Sequence, residues 1–457
     1  MPGYDAIIIG TGQAGPALAR RLAAAGSRVA IVERNRFGGT CINTGCTPTK
    51  ALVASAYAAH LARRGAVFGV NLPGPVGVDM RRVKARMDEI RGAGRAAVER
   101  SLRGTDGVTV YRGHARFADA HSVTVEAERL DAPRIFINVG ARPAVPSIPG
   151  VADVPCLTSS SILELDVLPR HLVVIGGSYV GLEFAQMYRR FGAEVTVIEA
   201  APRLVAREDP DICDAVRGIL VAEGIGVHVA TRTRSIERTN RGVRVTIGDA
   251  GGATSIDGSH VLLAAGRRPN TDDLGVDLAG IALDARGYVH VDDALRTNVP
   301  GIWALGECNA RGAFTHTAYN DYQIVAANLL EGAQRSVRDR IAAYAMFIDP
   351  PLARVGMSES EARAAGHAIL RASLPMKDVS RAYEKGETDG LMKIVVDRGS
   401  RLILGAAILG TGGDEAVHCI LDTMYAKATA DVLQRAVHIH PTVAEFIPTL
   451  LEDLRPG

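Results

Sequence analysis

Residues 4–15 read YDAIIIGTGQAG, a short β-branched apolar run that ends abruptly at a glycine-spaced loop. The run from Tyr4 to Ile9 predicts a strand. The following PALARRLAAAGSRVAIVER, residues 16–34, predicts a helix, a turn at Gly26 and a second strand ending at Glu33. Gly10, Gly12 and Gly15 spell G-x-G-x-x-G between strand and helix, the spacing that lets a backbone turn tightly, approach a pyrophosphate and pack a helix close behind it. The helix N-terminus there offers amides and a positive dipole end to the phosphates, and Glu33 stands where a carboxylate accepts from ribose hydroxyls. The whole is a βαβ nucleotide-binding unit.

The same order of features returns at residues 171–200, HLVVIGGSYVGLEFAQMYRRFGAEVTVIEA, again closing on an acid, Glu199. Its loop runs Gly176, Gly177, Ser178, Tyr179, Val180, Gly181, with serine at the middle glycine position. Two nucleotide-binding units in one chain imply an α/β protein with two Rossmann-like domains. Between them, residues 108–127 and 134–150 alternate apolar and polar side chains and run into a Pro- and Gly-rich stretch from Pro143 to Gly150, which suits strands leading to a boundary. HVLLAAGRRPN closes the second unit around Gly266. Beyond about residue 336, LMKIVVD and LILGAAIL predict strands, and DEAVHCILDTMYAKA and TVAEFIPTLLEDL predict amphipathic helices, a third, α+β domain. The expected division is 1–147, 148–268, 269–335 and 336–457.

A chain of 457 residues holds roughly three such domains. With 52 basic and 50 acidic residues the net charge is only +2, and no long single-sign run marks a nucleic-acid or membrane partner. The first apolar run is too short for a signal peptide or a membrane span, so a cytoplasmic location is expected. Of six cysteines, Cys156, Cys213, Cys308 and Cys419 are scattered, while Cys41 and Cys46 share GGTCINTGCTPTK, residues 38–50. Zinc would need two further ligands and a tighter spacing. In a reducing compartment a dithiol between two nucleotide units reads as a redox pair rather than a passive bridge.

These segments, with GIWALGECN (301–309) and HIHPTVAEF (438–446), fall in the order found in the FAD-dependent pyridine nucleotide-disulfide oxidoreductases, which the chain resembles over nearly its whole length. The resemblance implies an FAD domain in two parts (1–147 and 269–335), an NAD(P) domain (148–268) and a dimerisation domain (336–457). It makes Cys46 the charge-transfer thiol beside the flavin and Cys41 the exposed interchange thiol that attacks a small disulfide. It pairs Lys50 with Glu183 near the flavin, lets Tyr179 gate the nicotinamide pocket, and makes His440 and Glu445 an acid-base dyad contributed by the other subunit of a homodimer. His438 reads as a packed or solvent-facing neighbour of that dyad. FAD contacts are expected from Gly10, Gly12, Gly15, Glu33, Thr40, Lys50, Ala115, Gly140, Glu307 and Thr315. NAD(P) contacts are expected from Gly176, Gly177, Gly181, Glu183, Glu199, Arg203 and Gly266. Glu199 favours NADH, while Arg203 and Arg207 suit a 2′-phosphate; no metal site is expected.

Two departures stand out. Glu307 occupies a position where the family usually has Asp, and Thr47 replaces an aliphatic residue after the second cysteine. The texture is closest to the mercuric-reductase-like and dihydrolipoamide dehydrogenase-like branches, but no cysteine follows Cys419, so the thiolates that would hand over mercury are missing. A small-disulfide reductase is therefore expected, with a dihydrolipoamide dehydrogenase, a metal reductase and a flavoprotein redox sensor as alternatives.

Overall fold

The computed structural model describes residues 3–249 and 252–457. The chain divides into two compact units.

The first unit comprises Met1–Leu52, Arg82–Ala144 and Gly266–Arg340. Its centre is a five-stranded parallel sheet in the order Ile302–Ala304, Ile135–Ile137, Ala6–Ile9, Val29–Glu33, Val108–Arg112. Ala6–Ile9 and Val29–Glu33 are buried at every position, as strands covered on both faces are. That is why they read as unbroken apolar runs and not as alternations. The first strand is shorter than the sequence run, because Tyr4 lies outside the ladder and spends its hydroxyl on Tyr111 at 2.8 Å. Helix α1 (Ala14–Ala24) follows the glycine loop, and Ile7, Ile8, Leu18, Leu22, Ile31 and Phe136 form the middle of one core. The residue 108–127 region splits. Val108–Arg112 joins the parallel sheet, whereas Ala115–Asp119 and Ser122–Val125 form a separate antiparallel sheet with Glu128–Asp131.

Helices α2 (Gly39–Asn43), α3 (Cys46–Arg63) and α4 (Met80–Arg103) follow one another along the chain. The sequence pattern assigns no element to 53–103, although Met80, Val83, Met87 and Ile90 recur at helical spacing.

The second unit comprises Val53–Arg81, Val145–Ala265 and Ile341–Gly457. It repeats the parallel architecture, with Gly226–His228, Glu194–Ile198, His171–Ile175, His260–Leu263 and Leu157–Thr158 as neighbours and helix α5 (Tyr179–Phe191) after the second loop. A six-stranded antiparallel sheet, from Ala343–Met346 through Leu352–Gly356, Ile403–Leu409, Leu391–Asp397 and Ile369–Pro375 to Arg455–Pro456, carries the C-terminal part. The helix expected over TVAEFIPTLLEDL begins only at Phe446, because Thr442 and Glu445 spend their polar groups on the preceding turn.

Candidate functional site

In the first loop the chain turns at Gly10 with φ of 104°, a left-handed conformation that favours glycine. A Cβ on Gly15 would lie 2.3 Å from Gly10 O, so α1 is pressed directly against the loop. Glu33 closes the unit from the neighbouring strand. Its Oε2 accepts from Thr11 N at 3.1 Å and Thr11 Oγ1 at 2.5 Å, and its Oε1 from Asn35 N at 2.8 Å. Thr11 Oγ1 in turn accepts from Gly38 N at 3.1 Å, which ties this loop to the segment that carries the cysteines.

Both redox thiols are free and lie on successive helices, Cys41 inside α2 and Cys46 as the first residue of α3. The Cys46 thiol is lowered to about 5, chiefly by the hydrogen bond from Cys41, then by the Thr315 hydroxyl at 3.3 Å, the Lys50 charge and its own amide at the helix start, all against the cost of burial. Cys41 is pushed far up, first by donating to Cys46, then by burial and by the Cys46 charge. The two sulfurs share one proton, and the thiolate of the pair is carried at Cys46. Cys41 is half-buried and Cys46 exposed. A Cβ added at Gly45 would lie 3.3 Å from the Cys41 Cα, so a side chain there would crowd the short helix that carries Cys41.

The remaining first-unit candidates come from several elements. Thr40 accepts from Thr44 N at 2.8 Å within α2, Ala115 is buried, and Gly140 turns the chain after the strand Ile135–Ile137. Glu307 is fixed by Arg267 Nε at 2.5 Å. Thr315 begins the helix Thr315–Leu330 and from there reaches Cys46.

The second loop mirrors the first. Gly176 turns with φ of 118°, and a Cβ on Gly181 would fall 2.0 Å from Gly176 O. Glu199 accepts from Gly177 N at 2.6 Å and Ala201 N at 2.7 Å, the counterpart of Glu33. Ser178 has φ of −104° and ψ of 179°, an ordinary extended residue at the N-cap of α5 that needs no glycine. Glu183 is buried and accepts from Phe347 N at 2.8 Å, and Tyr179 is half-buried at the start of α5. Arg203 is exposed and pairs with Asp214 at 3.4 Å; Arg207 is exposed. Gly266 separates from this set. It falls in the first unit, where its carbonyl accepts from Ala144 N at 3.0 Å beside the paired strands Arg267–Pro269 and Ala141–Pro143.

In the C-terminal part, His440 Nδ1 donates to Glu445 at 3.0 and 3.1 Å, and Glu445 Oε1 also accepts from Thr442 N at 3.2 Å. The carboxylate is largely buried while the imidazole is 74% exposed, so Nε2 is presented outward. His438 is half-buried, and its Nδ1 has no hydrogen-bond partner among the described residues.

The pattern of the family described as pyridine nucleotide-disulphide oxidoreductase matches residues 4–321, and that family's dimerisation domain matches residues 342–451. The chain belongs to this family. Within the family it is 36% identical over 455 residues to the probable pyridine nucleotide-disulfide oxidoreductase RclA of Escherichia coli, covering 98% of each chain. It is 35% identical over 451 residues to a mercuric reductase of Streptomyces lividans, covering 97% of this chain and 95% of the relative. A solved structure described as the Cu(II) complex of the HOCl-induced flavoprotein disulfide reductase RclA from Escherichia coli superposes with a TM-score of 0.90 at 35% identity, covering 99% of both chains.

As a pyridine nucleotide-disulphide oxidoreductase, the protein is a flavoprotein that depends on FAD, uses NAD(P)H, acts on a sulfur group and carries a dimerisation domain that makes it a homodimer. The first loop fits a dinucleotide: side chains are excluded at Gly10 and Gly15, and the loop amides stand at a helix start. Among the described residues no helix is long and apolar enough to cross a membrane. Sequence reasoning missed Asn43, whose amide is buried in the redox loop, and the arginines of α4 that reach it. The four-residue gap between the cysteines was read for its length alone, and the helical apolar stripe of α4 was the signal that would have drawn attention to its partner face.

Proposed function

We propose that the protein reduces a small disulfide with NAD(P)H, NADH being preferred, through the Cys41/Cys46 pair, with His440 and Glu445 of the partner subunit as acid and base. The observation that carries this is the asymmetry of the thiols. Cys46 already holds a thiolate at neutral pH, while Cys41 is protonated and needs a base before it can attack. The four-part division 1–147, 148–268, 269–335 and 336–457 assigns FAD, NAD(P), FAD and dimerisation roles in turn, and a reducing cytoplasm suits a dithiol that must reopen each cycle.

FAD, when bound, supplies the two-electron link between nicotinamide and dithiol. Gly10, Gly12, Gly15 and Glu33 would hold its pyrophosphate and ribose, and Lys50, Glu307 and Thr315 would face its ring and ribityl chain, covering Cys46 and leaving Cys41 outermost. Thr40, Ala115 and Gly140 complete that lining. Gly176, Gly177, Gly181 and Glu199 would hold the nicotinamide nucleotide, with Glu183 and Tyr179 nearer its reactive end. His440 Nε2 takes the Cys41 proton, and the Cys41 sulfur attacks the substrate disulfide. A mixed disulfide forms and one substrate thiolate leaves, taking that proton back from His440. The Cys46 thiolate then attacks the Cys41 sulfur, closing the Cys41–Cys46 disulfide and releasing the second substrate thiolate. Glu445 keeps the Nδ1 proton in place so that Nε2 is the atom that exchanges.

Steady-state oxidation of NADH and NADPH against lipoamide, glutathione disulfide and cystine tests the reading. Cu(II) and Hg(II) belong in the same panel, because the Escherichia coli relative has been solved with Cu(II) and the Streptomyces lividans relative is a mercuric reductase. A disulfide should be the best acceptor and should lose about 100-fold or more in rate with His440→Ala. His440→Ala and Cys41→Ser homodimers should both reduce disulfides poorly, whereas mixed dimers regain activity from their one intact site. Heterodimers that form without regaining activity, or full disulfide turnover by Cys41→Ser, would sink the reading.

A further inference from the structure

Helix α4 lays one short stretch, Arg91 to Arg95, against the middle of the redox loop. A Cβ added at Gly94 would lie 3.3 Å from Ile42 Cγ2, so the helix backbone packs directly on the residue after Cys41. On either side of that contact, Arg91 Nη1 donates to Asn43 O at 3.4 Å and Arg95 Nε to Asn43 Oδ1 at 3.0 Å. Arg91 is buried and braced by Asp88 at 2.6 Å. Asn43 in turn donates its amide to Arg36 O at 3.3 Å, Phe37 O at 2.8 Å and Gly39 O at 2.9 Å. Both ends of this one side chain are therefore engaged, its oxygen by α4 and its nitrogen by the loop that enters α2.

These arginines meet the amide group and backbone of Asn43, so they act on where the loop sits. A buried amide with every polar atom bonded is costly to rearrange, because each broken contact leaves an unpaired group. The four residues between the thiols are thus held in one conformation, and the two sulfurs are kept in contact. A ring whose ends already meet closes with little loss of chain entropy.

We propose that Arg91 and Arg95, acting through Asn43, are positioning residues that hold the redox loop closed and so favour the Cys41–Cys46 disulfide over the dithiol. This rests on the reading that the pair cycles between those two states. The test equilibrates the FAD-loaded dimer with mixtures of oxidised and reduced dithiothreitol. Each disulfide formed sends two electrons from the Cys41/Cys46 pair to oxidised dithiothreitol, whose two new thiols take one proton from Cys41 and one from solvent. The ratio of the two states is read by alkylation and peptide mass analysis. Arg95→Gln should make the disulfide about tenfold easier to reduce, a shift of ~30 mV for a two-electron couple. Arg95→Lys, which keeps a donor, should fall between it and the unaltered protein. Arg103→Gln removes an arginine of the same helix that pairs with Glu99 at 3.0 Å, and should leave the ratio unchanged. An Arg95→Gln ratio equal to that of the unaltered protein, or an equal shift in Arg103→Gln, overturns the clamp and leaves the disulfide reductase standing. A pair that forms no disulfide in the unaltered protein overturns both.

Discussion

The two nucleotide loops share a plan and differ in what they are fastened to. In each, a glycine in left-handed conformation starts the turn, a second glycine lets the following helix press on the first, and an acid at the end of the next strand accepts from the loop and from the residue two places on. The first loop has an added bond, because Thr11 relays the Glu33 carboxylate to Gly38, at the head of the cysteine segment. The second lacks that side-chain relay: Gly177 takes the place of Thr11, and its carbonyl accepts from Val205 N at 2.9 Å instead. A loop welded to the redox segment suits a cofactor that stays, and a loop without that weld suits one that enters and leaves with every turnover.

The sharpest way to break this comparison is to add a methyl group at the helix glycine of each unit. Gly15→Ala and Gly181→Ala both drive a Cβ into a carbonyl oxygen, at 2.3 and 2.0 Å, so each should cost about 3 kcal/mol locally. The consequences should differ. Gly15→Ala protein should be isolated with little bound FAD, by absorbance against protein concentration, whereas Gly181→Ala should remain yellow and show at least a tenfold higher KM for NADH. Loss of flavin from both would mean that the loops are not functionally separate.

The closing acids come next in size. Gln in place of Glu33 or Glu199 keeps one acceptor but sets an NH2 group against a backbone N–H, costing about 1–3 kcal/mol. If Glu199 repels a 2′-phosphate as proposed, the lost charge should also shift the ratio of NADH to NADPH use toward NADPH. An unchanged NADH to NADPH ratio of kcat/KM in Glu199→Gln would remove that residue from nucleotide choice.

How far the sequence revealed all this depends on where the forces are local. Gly10, Gly15, Gly176 and Gly181 are dictated by contacts within a few residues of themselves or with the adjacent strand, so their spacing alone exposed both units. His440 and Glu445 are five apart and hydrogen-bonded, and it is the likeness of HIHPTVAEF to the family's motif that points to them. Thr315 lies 269 residues from Cys46 and Arg95 lies 52 from Asn43, and no local pattern announces a partner that the fold supplies. The same holds for Val108–Arg112, whose alternation looked like the strands after it but which pairs with Val29–Glu33 instead. Tertiary pairing decided what periodicity could not.

The contact between Thr315 and the thiol pair has a pH signature. The Thr315 hydroxyl donates to Cys46 in its thiolate form, so removing it favours the neutral thiol and moves the titration upward. Alkylation of Cys46 in the reduced protein should follow a midpoint of about 5, and Thr315→Val should raise that midpoint by about one pH unit. Thr315→Ser, which keeps the donor, should restore it. A midpoint near the ordinary thiol value in the unaltered protein would detach the helix start, Lys50 and Thr315 from any role in activating the pair.

The smallest effect belongs to the position where the loops differ most plainly in sequence. Gly12 and Ser178 occupy the same place, and the reciprocal exchange asks whether that place needs a glycine. A Cβ on Gly12 would stand 3.3 Å from Asn138 Nδ2, which donates to Gly10 O at 3.3 Å, so Gly12→Ser must displace that amide and should cost about 1 kcal/mol in thermal stability with weaker FAD retention. Ser178 is exposed, extended and makes no capping hydrogen bond from its side chain. Ser178→Gly therefore removes nothing the loop uses and adds only the backbone freedom of glycine, a loss of about 0.5 kcal/mol, with the KM for NADH unchanged within twofold. A several-fold fall in that KM would show that the serine side chain obstructs the nucleotide, and that the second loop has given up close approach at this point, a departure larger than its backbone suggests.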